Sequence, residues 1–382
     1  MSGQTYSKIC TITSPISDAS VTPVSNLVKI LRCISKDVCF ITGNAGSNLF
    51  KDDESIHTIA INYKLGSNAF SKIIRYSLLQ LKLSYLILRT AKNYDTHLYF
   101  IGSNNLVFPI IISKIMRKNV VLSLPGSSNI LKFANDRFYK IVKLFESFNM
   151  SLSDKIIVYS PNLINEWNLK KYNNKISFAH EHFLDLNKFK ITSQLHEREN
   201  VIGYVGRLTG EKGVFNFIEA IPYIIKKNKN LKFIIIGEGI LRNKIEDFLD
   251  KKNLKDNVKL LGWVHHDQLP DYLNQFKLTV LPSYTEGLPN LMLESMACGT
   301  PALATSIGAI PDVIKDNENG FTMEDNSPEC IAKNVIRALN TPQFEQIANC
   351  AKESVNQKFT HESSVEIYRD ALYKEHKPKI VF

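Results

Sequence analysis

Short apolar runs alternate with longer stretches of helical periodicity along nearly the whole chain, and this alternation restricts the fold more than any composition figure does. Strands are predicted at Ile9–Thr13, Val38–Thr42, Ile56–Ile61, His97–Ile101, Val120–Leu124, Ile156–Tyr159 and Ile176–Ala179, with helical patterns near Val24–Ile34, Ala69–Lys92, Leu106–Arg117, Phe138–Asn149 and Asn162–Leu169. The second half repeats the theme. Strands are predicted at Val201–Val205, Lys232–Ile236, Val258–Leu261, Leu278–Leu281 and Ala302–Ala304, and helices at Val214–Lys226, Leu241–Lys252, Gln268–Asn274, Asn290–Cys298, Pro328–Leu339 and Phe344–Gln357. Strands alternating with helices form βαβ units, hence parallel sheets joined by right-handed crossovers.

At 382 residues the chain is long enough for two or three domains. The stretch "KITSQLHEREN", Lys190 to Asn200, has no apolar period. The expected division is therefore a first domain over 1–190, a linker over 191–200, a second domain over 201–360 and a final segment over 361–382. The expected fold class is α/β, with two doubly wound Rossmann-like domains facing across a cleft. Ligands of such sheets bind beyond the carboxyl ends of the strands. In the last segment Val365, Tyr368 and Leu372 share one face of a predicted helix, His361–Lys374, which could pack back on the first domain.

Composition removes several alternatives. Six cysteines with no Cys-x-x-Cys spacing and no adjoining histidines give neither a zinc site nor a disulfide framework, so reduced thiols in a cytosolic protein are expected. The start, "MSGQTYSKICTITSP", lacks a charged segment followed by an apolar one, and no signal peptide is expected. The longest apolar stretches are interrupted by Ser113 and Lys114 or by Arg75, Gln80 and Lys82, short of the roughly 20 residues a spanning helix needs. The net charge of +10 sits in the first half: residues 1–200 hold 25 Lys+Arg against 14 Asp+Glu, and the remainder is nearly neutral. An anionic membrane face suits such a surface, as would nucleic acid, while simple abundance of lysine explains it equally. "FSKIIRYSLLQLKLSYLILRTAK", Phe70 to Lys92, reads as an amphipathic basic helix; its apolar side is expected to pack on the sheet and its basic side to meet the membrane.

Two stretches carry chemistry. In "VIGYVGRLTGEKG", Val201 to Gly213, a strand ends in Gly206 and Arg207, and Lys212 and Gly213 open a helix. Fixed cations beside free amides and a helix dipole make an anion site. The G-x-x-x-x-G-K-[ST] order of a Walker loop is absent. In "SYTEGLPNLMLESMACGTPALAT", Ser283 to Thr305, Glu286 lies in the loop after a strand and Glu294 one turn into the next helix. Pro289 suits the first turn of that helix. Both carboxylates are expected to face one pocket and accept hydroxyl hydrogen bonds, with the amides of Gly287, Leu288 and Asn290 beside them. The small run "SMACGTP" lets the helix end press on the sheet.

With "FIIIGEG", "VKLLGWVHHDQLPDYL" and "IPDVIKDNENGF", these stretches form five ordered motifs over about 150 residues. In them the chain resembles the family 4 glycosyltransferases of the GT-B fold, retaining enzymes that use nucleotide sugars. The first half resembles them only in outline, at "VVLSLPGSSN", "LSDKIIVYSPNLINEW" and "HFLDLNKF". The resemblance implies that Arg207 and Lys212 neutralise a donor diphosphate, that Gly206 and the helix start near Asn290 help to hold it, and that Glu294 binds ribose hydroxyls. It also implies that Glu286 faces the transferred sugar and that the loop at Trp263 and Val264 meets the base. No cofactor and no metal is expected; the UDP- or GDP-sugar enters as substrate, and a glycan or lipid-linked acceptor of cell-surface polysaccharide synthesis receives the sugar. No nucleic acid partner is expected, and the implied location is cytoplasmic, with peripheral contact at the inner membrane face.

The sequence departs from the family pattern twice. "SPISDASVTP", Ser14 to Pro23, lacks the glycine pair common in the first strand–helix loop, and Pro125 precedes Gly126 where many members have a histidine. Pro125, Gly126, His180 and His182 are the candidates on the acceptor side, with the two histidines read as structural or solvated. A sugar-nucleotide epimerase of the same fold and a non-catalytic nucleotide-sugar binder remain as alternatives.

Overall fold

The computed structural model describes residues 7–64, 66–128, 131 and 136–374. The chain divides into two units, one running to Phe183 and resuming at His361, the other spanning Leu184–Thr360. The first unit holds β1 (Ile9–Thr13), α1 (Val21–Ile34), β2 (Val38–Gly43), β3 (Ile56–Ile61), α2 (Ala69–Thr90), β4 (Thr96–Phe100), α3 (Val107–Ile115), β5 (Asn119–Leu124), α4 (Tyr139–Leu152), β6 (Lys155–Val158), α5 (Asn162–Glu166) and β7 (Ile176–Phe178). The second holds β8 (Val201–Val205), α6 (Val214–Lys227), β9 (Lys232–Ile236), α7 (Arg242–Lys251), β10 (Val258–Gly262), α8 (Leu269–Leu273), β11 (Leu278–Leu281), α9 (Asn290–Ala297), β12 (Ala302–Thr305), α10 (Ile310–Val313), β13 (Phe321–Met323), α11 (Pro328–Leu339) and α12 (Phe344–Lys358). Helix α13 (His361–Tyr373) returns to the first unit.

Each unit is a parallel sheet that starts in its middle. The orders are β3-β2-β1-β4-β5-β6-β7 and β10-β9-β8-β11-β12-β13. β1 pairs in parallel with β2 and β4, and β8 with β9 and β11. Strands covered on both faces read as near-continuous apolar runs rather than alternating, and β1, β2, β4, β11 and β12 are buried along their whole length. The crossovers leave β8 and β11 toward opposite neighbours, which opens a crevice at their carboxyl ends.

The segment read as a linker belongs to the second unit. Arg198, only 6% exposed, anchors it: the guanidinium donates to the carbonyls of Ser193, Phe276 and Cys298 and to Thr300 Oγ1. Burial pushes its pKa down to about 10, and it remains a cation at neutral pH. The chain instead changes unit between Phe183 and Leu184. Two short elements, α10 and β13, were not among the sequence expectations.

Helix α13 is part of the first unit's core. Val365, Tyr368, Ala371 and Leu372 pack with residues of α1, β2 and β4. Lys155 Nζ caps it by donating to the carbonyls of Ala371 and Leu372 at 2.6 and 3.0 Å, the favourable placement for a cation at a helix carboxyl end.

The outer helix α2 departs from expectation. Leu79, Leu83 and Ile87 face inward, but Phe70, Ile73, Leu78, Leu81, Tyr85 and Leu88 are exposed. The helix thus has two apolar stripes, and only one packs on the protein.

Beyond β7 lies Glu181, 1% exposed, which accepts a hydrogen bond from Tyr159 Oη at 2.5 Å. Tyr368, His180 and His182 adjoin the same pocket of groups. Burial raises the Glu181 pKa to about 7 and lowers that of His180 to about 4. Between pH 4.5 and 7 the folded Glu181 keeps a proton that the unfolded chain has released, so its contribution to stability falls as pH rises through that window. Against Glu181→Gln, in which the His180 contribution cancels, the wild type should therefore lose on the order of 3 kcal/mol of relative stability between pH 5 and pH 8. Urea midpoints at the two pH values measure this.

Candidate functional site

The carboxyl end of β8 runs into Gly206 and Arg207, then a 3-10 turn, Gly210–Lys212, and Gly213 at the head of α6. Gly213 is in the left-handed region, at φ +63°, and a Cβ there would lie 1.9 Å from the Pro282 carbonyl oxygen. Both facts require glycine, because the loop after β8 is pressed against the loop after β11. The contact carries Lys212 to Glu286, with Nζ to Oε1 at 2.6 Å. Ser283 Oγ donates to the same oxygen at 2.7 Å. The Glu286 side chain is 10% exposed and that of Lys212 24%.

The adjoining turn is equally tight. Gly308, at φ +59°, leaves no room for a Cβ against the carbonyl oxygens of Glu286 and Gly287, at 2.4 and 2.7 Å. Ala309 N–H donates to the Gly287 carbonyl at 2.7 Å. The Glu286–Gly287 backbone is thus clamped from beneath. α9 then starts at Asn290 with Pro289 at the N-cap position, just outside the helix rather than in its first turn, and no side chain caps it. An uncapped helix start presents amides and the positive end of the dipole.

The small residues hold α9 down as expected. Ser295, Ala297 and Cys298 are buried, and Ser295 Oγ lies 2.7 Å from Thr279 Oγ1 on β11 and donates to the Thr300 carbonyl. Glu294 is consequently fixed and nearly covered, with Oε1 2.8 Å from His266 Nε2. His266 Nδ1 in turn lies 3.2 Å from Lys188 Nζ, which also donates to Asp267.

Two cavities meet here and share Val205 and Gly206. One, of about 280 Å³, includes Lys212, Ser283, Glu286, Leu288, Asn290 and Leu291 in its wall. The other, of about 330 Å³, includes Arg207, Gly237, Trp263, Val264 and His266. The predicted residues of this unit are therefore gathered at one sheet end, but the two carboxylates do not share a cavity. Glu286 lines the first; Glu294 stands behind His266, which lines the second. Arg207 is 60% exposed on its side chain and pairs with Glu211 at 3.1 Å. Its backbone is held by Tyr204, whose hydroxyl donates to the Arg207 carbonyl. Burial, with Glu286 and Glu211 nearby, pushes that phenol well above its usual pKa and keeps it a neutral donor. A larger cavity, about 720 Å³, lies at the opposite sheet end beside Lys232 and Val258, where β9 and β10 begin. It lacks the strand-end loops and helix start that make an anion site, so its size does not decide function.

Sequence reasoning missed His266, Ser283, Tyr204 and the Gly308 turn. His266 stood in the quoted "VHHDQLP", yet nothing in spacing pairs it with Glu294, 28 positions on. The acceptor-side candidates lie in the first unit. Pro125 and Gly126 follow β5, and a Cβ on Gly126 would meet nothing within 4 Å; residues 129–130 and 132–135 beyond them lie outside the described residues. His180 and His182 are buried, with ring centroids 5.7 Å apart, and His182 packs edge-on to Tyr159. The Ser14–Pro23 loop contributes a short 3-10 turn, Asp18–Ser20, ahead of α1.

Residues 187–356 match the family described as Glycosyl transferases group 1. The chain is 33% identical over 189 residues to an uncharacterized glycosyltransferase of Methanocaldococcus jannaschii, covering 48% of each chain. It is 31% identical to the poly(ribitol-phosphate) alpha-N-acetylglucosaminyltransferase of Staphylococcus aureus, over 44% of this chain and 34% of that one. The chain thus spans about half or less of the length of these curated relatives. Among solved structures, the HepE protein of Anabaena in complex with UDP superposes with a TM-score of 0.75 at 17% identity, covering 96% of this chain and 99% of that one.

The tightest of these contacts gives a direct test. Gly213→Ala adds a left-handed alanine and a clash with Pro282, and should destabilise the protein by at least about 2 kcal/mol. A lower urea midpoint with an unchanged m value would register it.

Proposed function

We propose that this chain, whose second unit is a group 1 glycosyl transferase domain and whose fold is that of the GT-B glycosyltransferases, moves a sugar from a UDP-sugar to a glycan or lipid-linked acceptor of cell-surface polysaccharide synthesis. One observation carries the reading. Arg207, Lys212 and the uncapped start of α9 converge at the carboxyl ends of β8 and β11, with Glu286 held between them.

Breaking a sugar–phosphate bond leaves negative charge on the diphosphate and positive character on the sugar. Arg207, Lys212 and the α9 amides are placed for the first. Preorganised donors of this kind are usually the largest contribution to catalysis, each worth roughly 10²–10³ in rate. Glu286, fixed by Ser283 and the Gly308 turn, is placed for the second. In this proposal two cationic side chains do the work a metal would otherwise do, and the acceptor hydroxyl attacks from the side on which the diphosphate departs, passing its proton to a departing phosphate oxygen and giving retention. Glu294 takes the ribose hydroxyls once His266 moves from its carboxylate, and Trp263 and Val264 flank the base. The Anabaena protein with UDP supports the choice of nucleotide, and the Staphylococcus relative supports a polymeric acceptor.

Thermal unfolding with UDP, GDP, ADP and CDP tests the donor site. UDP at 100 times its Kd should stabilise by about 2.7 kcal/mol, and Arg207→Ala and Glu294→Ala should each abolish the shift. Product analysis with UDP-sugars and glycan acceptors should then show transfer. Absence of any nucleotide shift would sink the proposal, and donor binding with interconversion but no transfer would assign an epimerase instead.

A further inference from the structure

The first unit carries a surface that shares no residue with the site described above. Among the described residues, every exposed large apolar side chain of this unit lies on α2, α3 or α4. α3 packs between the other two, so the three form one continuous wall. On α2 the exposed residues Phe70, Ile73, Leu78, Leu81, Tyr85 and Leu88 recur along all 22 residues. At about 100° per residue they fall in a single arc of about 140°, and the helix is about 33 Å long. Phe108 and Ile115 extend the patch on α3, as do Ile141, Leu144 and Phe148 on α4. Scattered exposed apolar residues need no explanation, but a contiguous apolar wall of this extent marks an interaction surface.

The charge on that wall has one sign. Arg75, Lys82 and Arg89 are exposed and follow the apolar stripe of α2 along one flank, and Lys140 and Lys143 are exposed on α4. α2 and α3 contain no aspartate or glutamate. The one acidic residue of α4, Glu146, is turned inward and bonded to Asn104 and Ser128.

We propose that this wall is a docking surface for an anionic phospholipid bilayer, on which the first unit lies through α2, α3 and α4. An apolar stripe edged by lysine and arginine is the pattern of helices that lie in the plane of a bilayer, with the apolar side among the acyl chains and the cations at the headgroups. Among the described residues no helix is long and apolar enough to cross a membrane, so the contact is one of lying on rather than spanning. A second copy of the same face is a poor occupant, because it would set these cations against their own kind. The inference stands apart from the transferase reading, since it uses none of that site's residues.

Flotation of the full chain with vesicles tests it without donor or acceptor. The protein should float with vesicles of phosphatidylcholine and phosphatidylglycerol, weakly with phosphatidylcholine alone, and less as salt rises. Removing one cation near the surface lowers partitioning about fivefold, so Lys82→Glu/Arg89→Glu should reduce it by roughly twenty-five-fold or more. Leu78→Gln/Leu81→Gln/Leu88→Gln should abolish it, with both variants keeping the wild-type urea midpoint because every changed side chain is exposed. Failure of the wild type to float with the anionic vesicles would overturn the proposal, as would undiminished flotation of both variants. A dimer in sedimentation equilibrium that the leucine substitutions dissociate would give the face to a second copy and overturn it too.

Discussion

The ion pair between Lys212 and Glu286 joins the two loops on which the second unit's site depends. Each group leaves the carboxyl end of a neighbouring central strand, and the pair closes only because Gly213 lets the backbones touch. With Gly308 clamping the Glu286–Gly287 backbone from below, both charges are held in position before any ligand arrives. Such a site spends little on reorganisation when a phosphate enters, because the cations, the helix start and the carboxylate already occupy their places. The same rigidity explains the run of small buried residues behind α9: they set the height of the helix start over the sheet, and so the distance from its amides to Lys212.

His266 gives the site a second layer. The Glu294 carboxylate is buried, and a buried carboxylate needs a partner. In the structure the partner is an imidazole on the neighbouring loop, itself in reach of Lys188. A polyol ligand that takes Glu294 must replace that imidazole with hydroxyl donors. Occupation of the carboxylate is therefore coupled to movement of the loop that carries Trp263, which lines the same cavity as His266, a link that the individual distances do not reveal.

Much of this was legible from residue order alone. Runs such as Lys232–Ile236 and Leu278–Leu281 are apolar, short and bounded, and their strand ends locate Arg207, Lys212 and Glu286 without coordinates. What was not legible depended on contacts distant in sequence. Arg198 reads as a linker charge until the carbonyls of Ser193, Phe276 and Cys298 and the Thr300 hydroxyl surround it. The β13 strand is three residues long and follows a turn rich in Asp and Asn, and α10 is a four-residue helix containing Pro311, so neither gives a periodic signal. α2 misled for a different reason: it has two apolar stripes, and periodicity shows that stripes exist but not which one meets the sheet. His266 was visible as a residue but not as a partner, because the pairing is made by two loops that only the sheet brings together.

The position of α13 has a consequence for how the molecule is made. The second unit is a continuous stretch of chain, whereas the first is interrupted by it and finished only by the helix that follows. During synthesis the second unit is complete while the first still lacks one wall of its core, with the sites later filled by Tyr368 and Leu372 open to water. The early part of the chain must wait for the late part, and the maturation of the first unit is paced by the emergence of one helix that belongs to it but is translated after its neighbour.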